Sequence, residues 1–512
     1  MTAGPRAAVP AGGMSAGQVM TMFGGYGDAG GHWTGGGSTA SVPLPDGRVA
    51  WLFSNAYLGA VNADGSRPES SPMVPNTLVV QDGAELVGTL HGGSTAWPEA
   101  LVKPDRHDER IEVQSGIAES GVLKVVCLRY RRFGDGIFDT ELMGTSLATF
   151  ALPALALSSV VDLPVGRATY WGSALLVDGS YTYVYGMSPG LAGVKYGHVA
   201  RAAVGSLDGA WQFWDGTGWS AAEVDAARLL SGVGTTYAVQ RVGSDYVLVT
   251  QENNLILDPQ FVAYTAPSPT GPWSGPIQLL TAPEQKPGTQ RIVYSARLHP
   301  ELARPGKLLM SYDVNSLDPA DSYADARLYR PRFVELDWPR PQLDPARLPA
   351  APADLAVSAD ATGAVHLTWS VVAGATGYHV YRRDVTGGQT HLARQWQLLT
   401  QSSAEVGGLV TGHCYELRVT AANAAGEGLP SAAVSAVSHA VRDASVIRLA
   451  DTPNAVPGSY LIQFNDSPAV RSRGVEAMAR ELLAQSGGTV DHVFALTLNG
   501  FIYLDDGEAG TP

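Results

Sequence analysis

The sequence predicts a mainly β protein: a five-bladed β-propeller, then a β-sandwich, then a small α+β domain. Three observations predict it. Glycine and proline supply 59 and 33 of the 512 residues, well above the usual share of about 12%, so turns are frequent. Only 16% of residues are charged while 45% are hydrophobic, which disfavours long charged helices and coiled coils and leaves an ample core. Finally, five strand–turn–strand segments recur at a spacing of about 60 residues.

Residues 1–30 are rich in Gly and Ala and short of β-branched and charged residues, which predicts a flexible lead-in. The propeller is expected over 31–340. Its repeats begin at STASVPLPDGRVAWLFSNAYLG, AESGVLKVVCLRYRRF, YWGSALLVDGSYTYVYGMS, TTYAVQRVGSDYVLVTQEN and RIVYSARLHPELARPGKLLMSYDVN. Each turns at Asp46-Gly47, Ser120-Gly121, Asp178-Gly179, Gly243-Ser244 or Gly306, then returns as an alternating strand. Radially arranged four-stranded sheets satisfy such a repeat, because each sheet can bury its faces only against its neighbours. Aromatic turns close two blades, where Trp211 or Trp273 would cap the edge. A Pro-rich run over 337–355 then predicts an extended spacer.

Residues 352–440 resemble a fibronectin type III domain, on LTWSVVAGATGYHVYRR and VGGLVTGHCYELRVTAANAAGEGLPS. The resemblance implies Trp369 in the sandwich core and Tyr415 as a corner tyrosine bonded back to backbone. Residues 455–506 resemble the propeptide-type inhibitor domain of subtilisin-like proteases. The matching pieces are a strand in GSYLIQFND, a helix in GVEAMARELLAQSGG with an apolar stripe at Val475, Met478 and Leu482, and strands in VDHVFALTLNGFIYL.

The charge balance is 34 Lys and Arg against 48 Asp and Glu, a net −14. That surface repels phosphate and disfavours nucleic acid or an anionic membrane as partner. No apolar run is long enough to predict a membrane span. Cys127 and Cys414 read as buried apolar side chains, and the spacing of the possible ligands predicts neither a metal nor a cofactor. The start lacks a charged n-region and an apolar h-region. Two readings stay open: secretion with the signal already removed, or a cytoplasmic chain.

The propeller segment resembles a bacterial family that includes endo-D-arabinanases, on HWTGGGSTASVPLPDGRVAWLFSNAYLGAVNADGSRP together with HVARAAVGSL, SPTGPW, HPEL and YRPRFVEL. The resemblance implies two first-blade aspartates lining the axial cleft, as a carboxylate-pair glycosidase requires: one protonates the leaving oxygen and the other activates water or attacks. Here those positions read Gly37 and Asn55. Neither can ionise. Asp46, the nearest acid downstream, is expected to serve its turn.

What remains near the expected cleft is polar and aromatic: His32, Trp33, Asn55, Gln114, Trp171, Tyr237, Tyr294, Arg297 and His299. Such side chains stack on a sugar and hydrogen-bond its hydroxyls. Each has a plainer use: Trp171 as blade packing, His299 as a turn cap, Asn55 as a strand-end turn residue. Glu252 and Asp258 are the surviving acids, expected on a solvated loop, and Glu252 and His299 are the catalytic candidates that remain.

Three functions follow. The propeller binds an arabinan-like glycan or another small polar ligand without cutting it, and this reading is favoured. Alternatively, it is a glycosidase or biosynthetic enzyme with altered chemistry. Separately, the C-terminal domain binds or inhibits a subtilisin-like protease or another protein partner.

Overall fold

The computed structural model describes residues 12–133, 140–190, 193–254, 258–286, 289–359 and 364–438, and the backbone of 459–463, 489–494 and 500–504. The chain divides into two compact units, one built mainly from residues up to Pro341 and the other mainly from Gln342 onward.

The first unit is a succession of antiparallel meander sheets. Sheet 1 runs His32–Pro43, Val49–Gly59, Met73–Asp82 and Glu85–Leu90. Sheet 2 comprises Glu109–Glu119, Val122–Arg132, Thr140–Ala151 and Ala156–Asp162, and sheet 3 begins with Tyr170–Asp178, Tyr181–Pro189 and Lys195–Ala203. Sheet 4 is Ala238–Val242, Asp245–Gln251, Gln260–Ala266 and Ser274–Thr281; sheet 5 is Arg291–Leu298, Lys307–Ser316 and Arg332–Asp337.

The first strand of each sheet lies beside the first strand of the next, and that of sheet 5 beside that of sheet 1. This is the propeller layout. Apolar clusters lie between neighbouring sheets, such as Val42, Leu52, Val113 and Val125 between sheets 1 and 2, or Val249, Phe261, Val293 and Met310 between sheets 4 and 5. Meander sheets with two apolar faces bury both only in this way. The five turn glycines read from the repeats, Gly47, Gly121, Gly179, Gly243 and Gly306, all have φ between +58° and +87°. Only glycine takes that conformation without a Cβ penalty.

The lead-in expected to be flexible instead contains the helix Ala16–Ala29. Ser15 and Gln18 form a capping box, each side chain bonded to the other's backbone N–H. The helix buries Val19, Met22 and Phe23. Phe23 stands edge-on to Trp51 at 4.9 Å and stacks on Phe333 at 5.6 Å. Four glycines weaken the helix on its own; burial of this face holds it.

The second unit contains two sheets. One is Ala356–Ala359, Val365–Thr368 and Ser403–Val406; the other centres on Gly377–Asp384 and Cys414–Asn423. Trp369, Tyr378, Val380 and Leu417 fill the core between them. The Tyr415 hydroxyl accepts from the Val410 N–H at 2.9 Å, as the corner tyrosine predicts. Cys127 is buried, whereas Cys414 is only partly so. Toward the C-terminus, Ser459–Gln463, Gly500–Leu504 and Thr489–Phe494 form a sheet with Gly500–Leu504 in the middle. The helix expected between its strands lies outside the described residues.

Candidate functional site

The first strands of sheets 1, 2, 3 and 5 share a defect. Each slips register midway: between Gly37 and Ala40, Val113 and Ser115, Trp171 and Ala174, and Tyr294 and Arg297. Bulges re-aim side chains that regular pairing would alternate away. Ser38 (φ 62°), Ser295 (φ 58°) and Gly172 (φ 104°) take the left-handed conformations these bulges need.

The Ser295 bulge turns Arg297 inward. Its Nη1 donates to the Ser173 carbonyl at 2.6 Å and its Nη2 to the Gln114 carbonyl at 2.8 Å. One guanidinium thus ties sheet 5 to sheets 3 and 2. Burial lowers its pKa to about 10, and the Asp313 carboxyl works against that fall.

Asp313, on the second strand of sheet 5, is 2% exposed. It accepts from the Ser38 N–H at 2.6 Å and the Thr39 hydroxyl at 2.9 Å, closing sheet 5 onto sheet 1. Burial pushes its pKa up to about 6, against the lowering effects of Thr39, Ser38, Arg297 and Ser295. Gly37 lies alongside. A Cβ there would stand 3.3 Å from the Tyr329 hydroxyl, 3.4 Å from that of Tyr294 and 3.6 Å from Asp313 Oδ2. Two phenols and a carboxyl thus close in on position 37, and even a Cβ there would crowd the Tyr329 hydroxyl.

On the other side, Asn55 (φ 51°) donates from Nδ2 to Glu112 Oε1 at 3.1 Å. Asparagine is among the few residues that take this conformation readily. Arg110 donates to the same Glu112 oxygen at 2.8 Å. Tyrosines stand around this group. Tyr130 and Tyr170 pack at 6.3 Å; burial raises both phenols, and Glu112 adds to the rise at Tyr130. Tyr57 meets Tyr323 and Tyr329 edge-on at 5.7 and 5.9 Å, with Arg67 over its ring at 4.0 Å. Burial raises the Tyr329 phenol, and both Asp313 and Glu112 push it further.

The structure brings Asn55, Gln114, Tyr294 and Arg297 into this region and takes the other candidates elsewhere. His32 is exposed and stacks on Tyr26 at 5.1 Å. Trp33 lies in the cluster under the helix. Trp171 packs edge-on to Trp211 and donates to Glu223 Oε1 at 2.9 Å. Tyr237 is buried between sheets 3 and 4, its hydroxyl on the Gly186 carbonyl at 2.7 Å. The His299 carbonyl accepts from the Leu302 N–H at 3.1 Å and so closes the turn that follows, while its ring is wholly buried between Ser41 (2.6 Å) and Ser311 (2.8 Å), and burial, with Arg297, lowers its pKa to about 3. Glu252 and Asp258, expected in solvent, are each 1% exposed. Apart from the exposed His32, each of these side chains is buried in a better-filled or better-bonded place.

Glu112, Asp313, Tyr57, Tyr130, Tyr170 and Tyr329 are the site residues that sequence reasoning passed over. A signal existed for two of them. Glu112 is two residues before Gln114 and so shares its strand face up to the bulge, while Asp313 is an acid inside the otherwise apolar strand Lys307–Ser316. Among the described residues no group of three His, Cys, Asp or Glu side chains could hold a metal ion. No described helix is long and apolar enough to cross a membrane.

A family described as a domain of unknown function (DUF5005) matches residues 21–338, and the chain belongs to it. The fibronectin type III pattern matches residues 350–437. A poly(3-hydroxybutyrate) depolymerase of Ralstonia pickettii is 35% identical over 123 residues, 23% of this chain and 23% of the depolymerase. The chain thus spans less than a quarter of that relative. Among solved structures, a "putative hydrolase" of Bacteroides ovatus superposes with a TM-score of 0.52 at 21% identity, covering 59% of this chain and 85% of the other. It is similar in fold. A Fn3-like protein of Clostridium thermocellum covers 17% of this chain and 90% of its own at 28% identity, with a TM-score of 0.16.

Proposed function

We propose that the ring is a five-bladed propeller whose axial face binds a glycan, with an arabinan-like furanose chain as the ligand class. The observation that carries this reading is the Asn55–Glu112–Arg110 group set among Tyr57, Tyr130, Tyr170 and Tyr329. Tyr57, Tyr130 and Tyr329 are buried and support the group from beneath, and Tyr170 is only partly buried; the carboxylate, amide and guanidinium accept from and donate to sugar hydroxyls, with the Tyr170 ring as apolar surface beside them. The resemblance to arabinan-degrading propellers supports the ligand class. Gly37 and Asn55 standing where that family carries aspartates supports holding the chain without first-blade acid–base chemistry.

Affinity electrophoresis of the full chain in gels containing D-arabinan or dextran tests the proposal. Retardation by D-arabinan alone supports it. Equal mobility in both gels removes it.

The layout proposed around this site is propeller over 31–340, sandwich over 352–440 and an inhibitor-like domain over 455–506. A protease-directed role for the last rests on its strand pairing, with Gly500–Leu504 between Ser459–Gln463 and Thr489–Phe494. Titrating a subtilisin-like protease with the chain checks it; undiminished protease activity at micromolar chain eliminates that role.

A further inference from the structure

We propose that Trp97 is a second contact for the glycan: an aromatic platform on a rigid hairpin beside the Asn55–Glu112–Arg110 group. The chain held at that group continues onto the indole by stacking, so the site prefers a polymer to a short oligosaccharide. This rests on the glycan-binding reading above.

Strand direction puts the hairpin at the same end of sheet 1 as the polar group. The turns at Gly47 and Gly83 share one end of that sheet, so Glu85–Leu90 runs away from them, toward the end that carries Asn55 and Tyr57. Residues 91–108 cross from there to Glu109–Glu119 of sheet 2, and within them Gly92–Gly93 pairs with Pro98–Glu99. The return limb is fastened beside the site. The Leu101 N–H donates to the Asn76 carbonyl at 3.2 Å and the Val102 N–H to Asn76 Oδ1 at 2.7 Å. Asn76 Nδ2 donates in turn to the carbonyls of Val102 at 2.9 Å and Ile111 at 2.8 Å. Asn76 is the register partner of Ser54, the neighbour of Asn55, and Ile111 precedes Glu112. Trp97 is four residues before Leu101, so its Cα stands within about 14 Å of this anchor even with the chain fully extended.

The hairpin backbone is ordered at its tip while the ring is not covered. Ser94 and Trp97 exchange N–H to carbonyl bonds, each 3.1 Å, and Ser94 Oγ also accepts from the Trp97 N–H at 3.2 Å. Gly93 has φ 70°, and a Cβ there would stand 2.3 Å from the Trp97 carbonyl; one at Gly92 would stand 2.3 Å from the Ala100 carbonyl. Only glycines let the two limbs close this tightly. Trp97 itself is 81% exposed, although a Trp ring ordinarily contributes a large buried area. A single exposed apolar side chain needs no explanation, but this one has company. Met73, 48% exposed, is the register partner of Tyr57, and Phe133, 59% exposed, follows Tyr130 by three residues. The polar group thus has large apolar side chains exposed at the ends of its own strands and their partners.

The charges along the hairpin favour a neutral occupant. Residues 91–108 carry Lys103 and Arg106 against Glu99, Asp105 and Asp108, two positive less three negative or a net −1, and Lys103 pairs with Glu99 and Arg106 with Glu109. Such a segment has little field to recruit an acidic or basic partner. A sugar ring fits better: its C–H face lies on the indole while hydroxyls of the same chain reach the amide, carboxylate and guanidinium. Because the hairpin is already ordered, stacking on it loses little conformational freedom. A chain long enough to reach both places gains the second contact as an intramolecular event, whereas a short one has only the first.

Affinity electrophoresis of the full chain in gels of graded D-arabinan content, comparing wild type, Trp97→Ala and Trp97→Phe, tests the platform. Trp97 is exposed and belongs to none of the apolar clusters around sheets 1 and 2, so its replacement should leave the fold intact. Trp97→Ala should raise the D-arabinan dissociation constant about three- to tenfold, the yield of one aromatic contact, and Trp97→Phe should recover most of the loss. An arabinofuranose disaccharide, too short to span both places, should compete equally well for the wild type and Trp97→Ala. Equal retardation of wild type and Trp97→Ala overturns the platform and leaves axial binding standing. So does a loss that Trp97→Phe does not relieve, or one that the disaccharide shows in equal measure. A wild type that D-arabinan does not retard marks failure of the binding reading instead, and the platform falls with it.

Discussion

The strand Val49–Gly59 serves two regions of opposite character. Up to Phe53 it supplies Trp51 and Phe53 to the apolar cluster under the helix Ala16–Ala29, with Phe23, Trp33, Leu309 and Phe333. At Ser54 and Asn55 it turns polar and meets Glu112. The apolar region is saturated with ring contacts, whereas the polar one keeps an unpaired donor at Arg297. Ser54 and Asn55 thus interrupt an apolar strand whose Ala56 and Leu58 return to the same cluster. A variant on one side should leave the other nearly untouched.

The largest expected effect is on the apolar side. Phe23→Ala removes a ring that touches Trp33, Trp51, Phe53 and Phe333, at a cost of about 3–5 kcal/mol. Denaturant unfolding should show it, with D-arabinan retardation of the folded protein unchanged.

Next is the pH dependence of the two buried titratable groups. Asp313 goes from an ordinary 3.8 to about 6 in the fold, so the folded chain holds the proton more tightly than the unfolded one. Its contribution is fully present below about 3.8 and lost as pH rises through about 6, a change of about 3 kcal/mol. Relative to Asp313→Asn, the wild type should gain that much stability from pH 7 down to 4. His299 runs the other way: its neutral form is favoured down to about 3, so stability is lost as pH falls from about 6.5 toward 3. Relative to His299→Gln, the wild type should lose stability over the same acid range. Equal pH slopes in all three proteins would contradict the burial of both groups.

A smaller effect is expected in the sandwich. Tyr415→Phe removes the hydroxyl that accepts from the Val410 N–H and should cost about 1 kcal/mol, seen as a lower unfolding midpoint with ligand retardation unaffected. The smallest stability effect belongs to Glu112→Ala. Its partly exposed ion pair with Arg110 should contribute less than about 1 kcal/mol to folding.

The sheets were legible because their turns carry glycines that no other residue replaces cheaply: the five repeat turns are all where Asp46-Gly47 and its counterparts place them. The helix was hidden by Gly24, Gly25 and Gly27, although Ser15 and Gln18 spell its cap. The site was half legible. Gln114 and Arg297 stand on first strands and Asn55 on the second strand of sheet 1, but bulges at Gly37, Ser295 and Trp171 break the alternation that would say which neighbours share their face. Asp313 reaches the first sheet across 274 positions of sequence. No local pattern encodes such a contact. Aromatic residues misled for a related reason, since Trp33, Trp171 and Tyr237 suit a sugar face and a wedge between sheets equally well, and here the wedges hold them.

The most direct test compares D-arabinan retardation of the wild-type chain with that of Glu112→Ala and Tyr415→Phe. The predicted result is retardation of the wild type and of Tyr415→Phe, with the Glu112→Ala dissociation constant raised by about tenfold or more, as loss of a charged ligand contact implies. Equal retardation of all three proteins would contradict an axial site at Glu112.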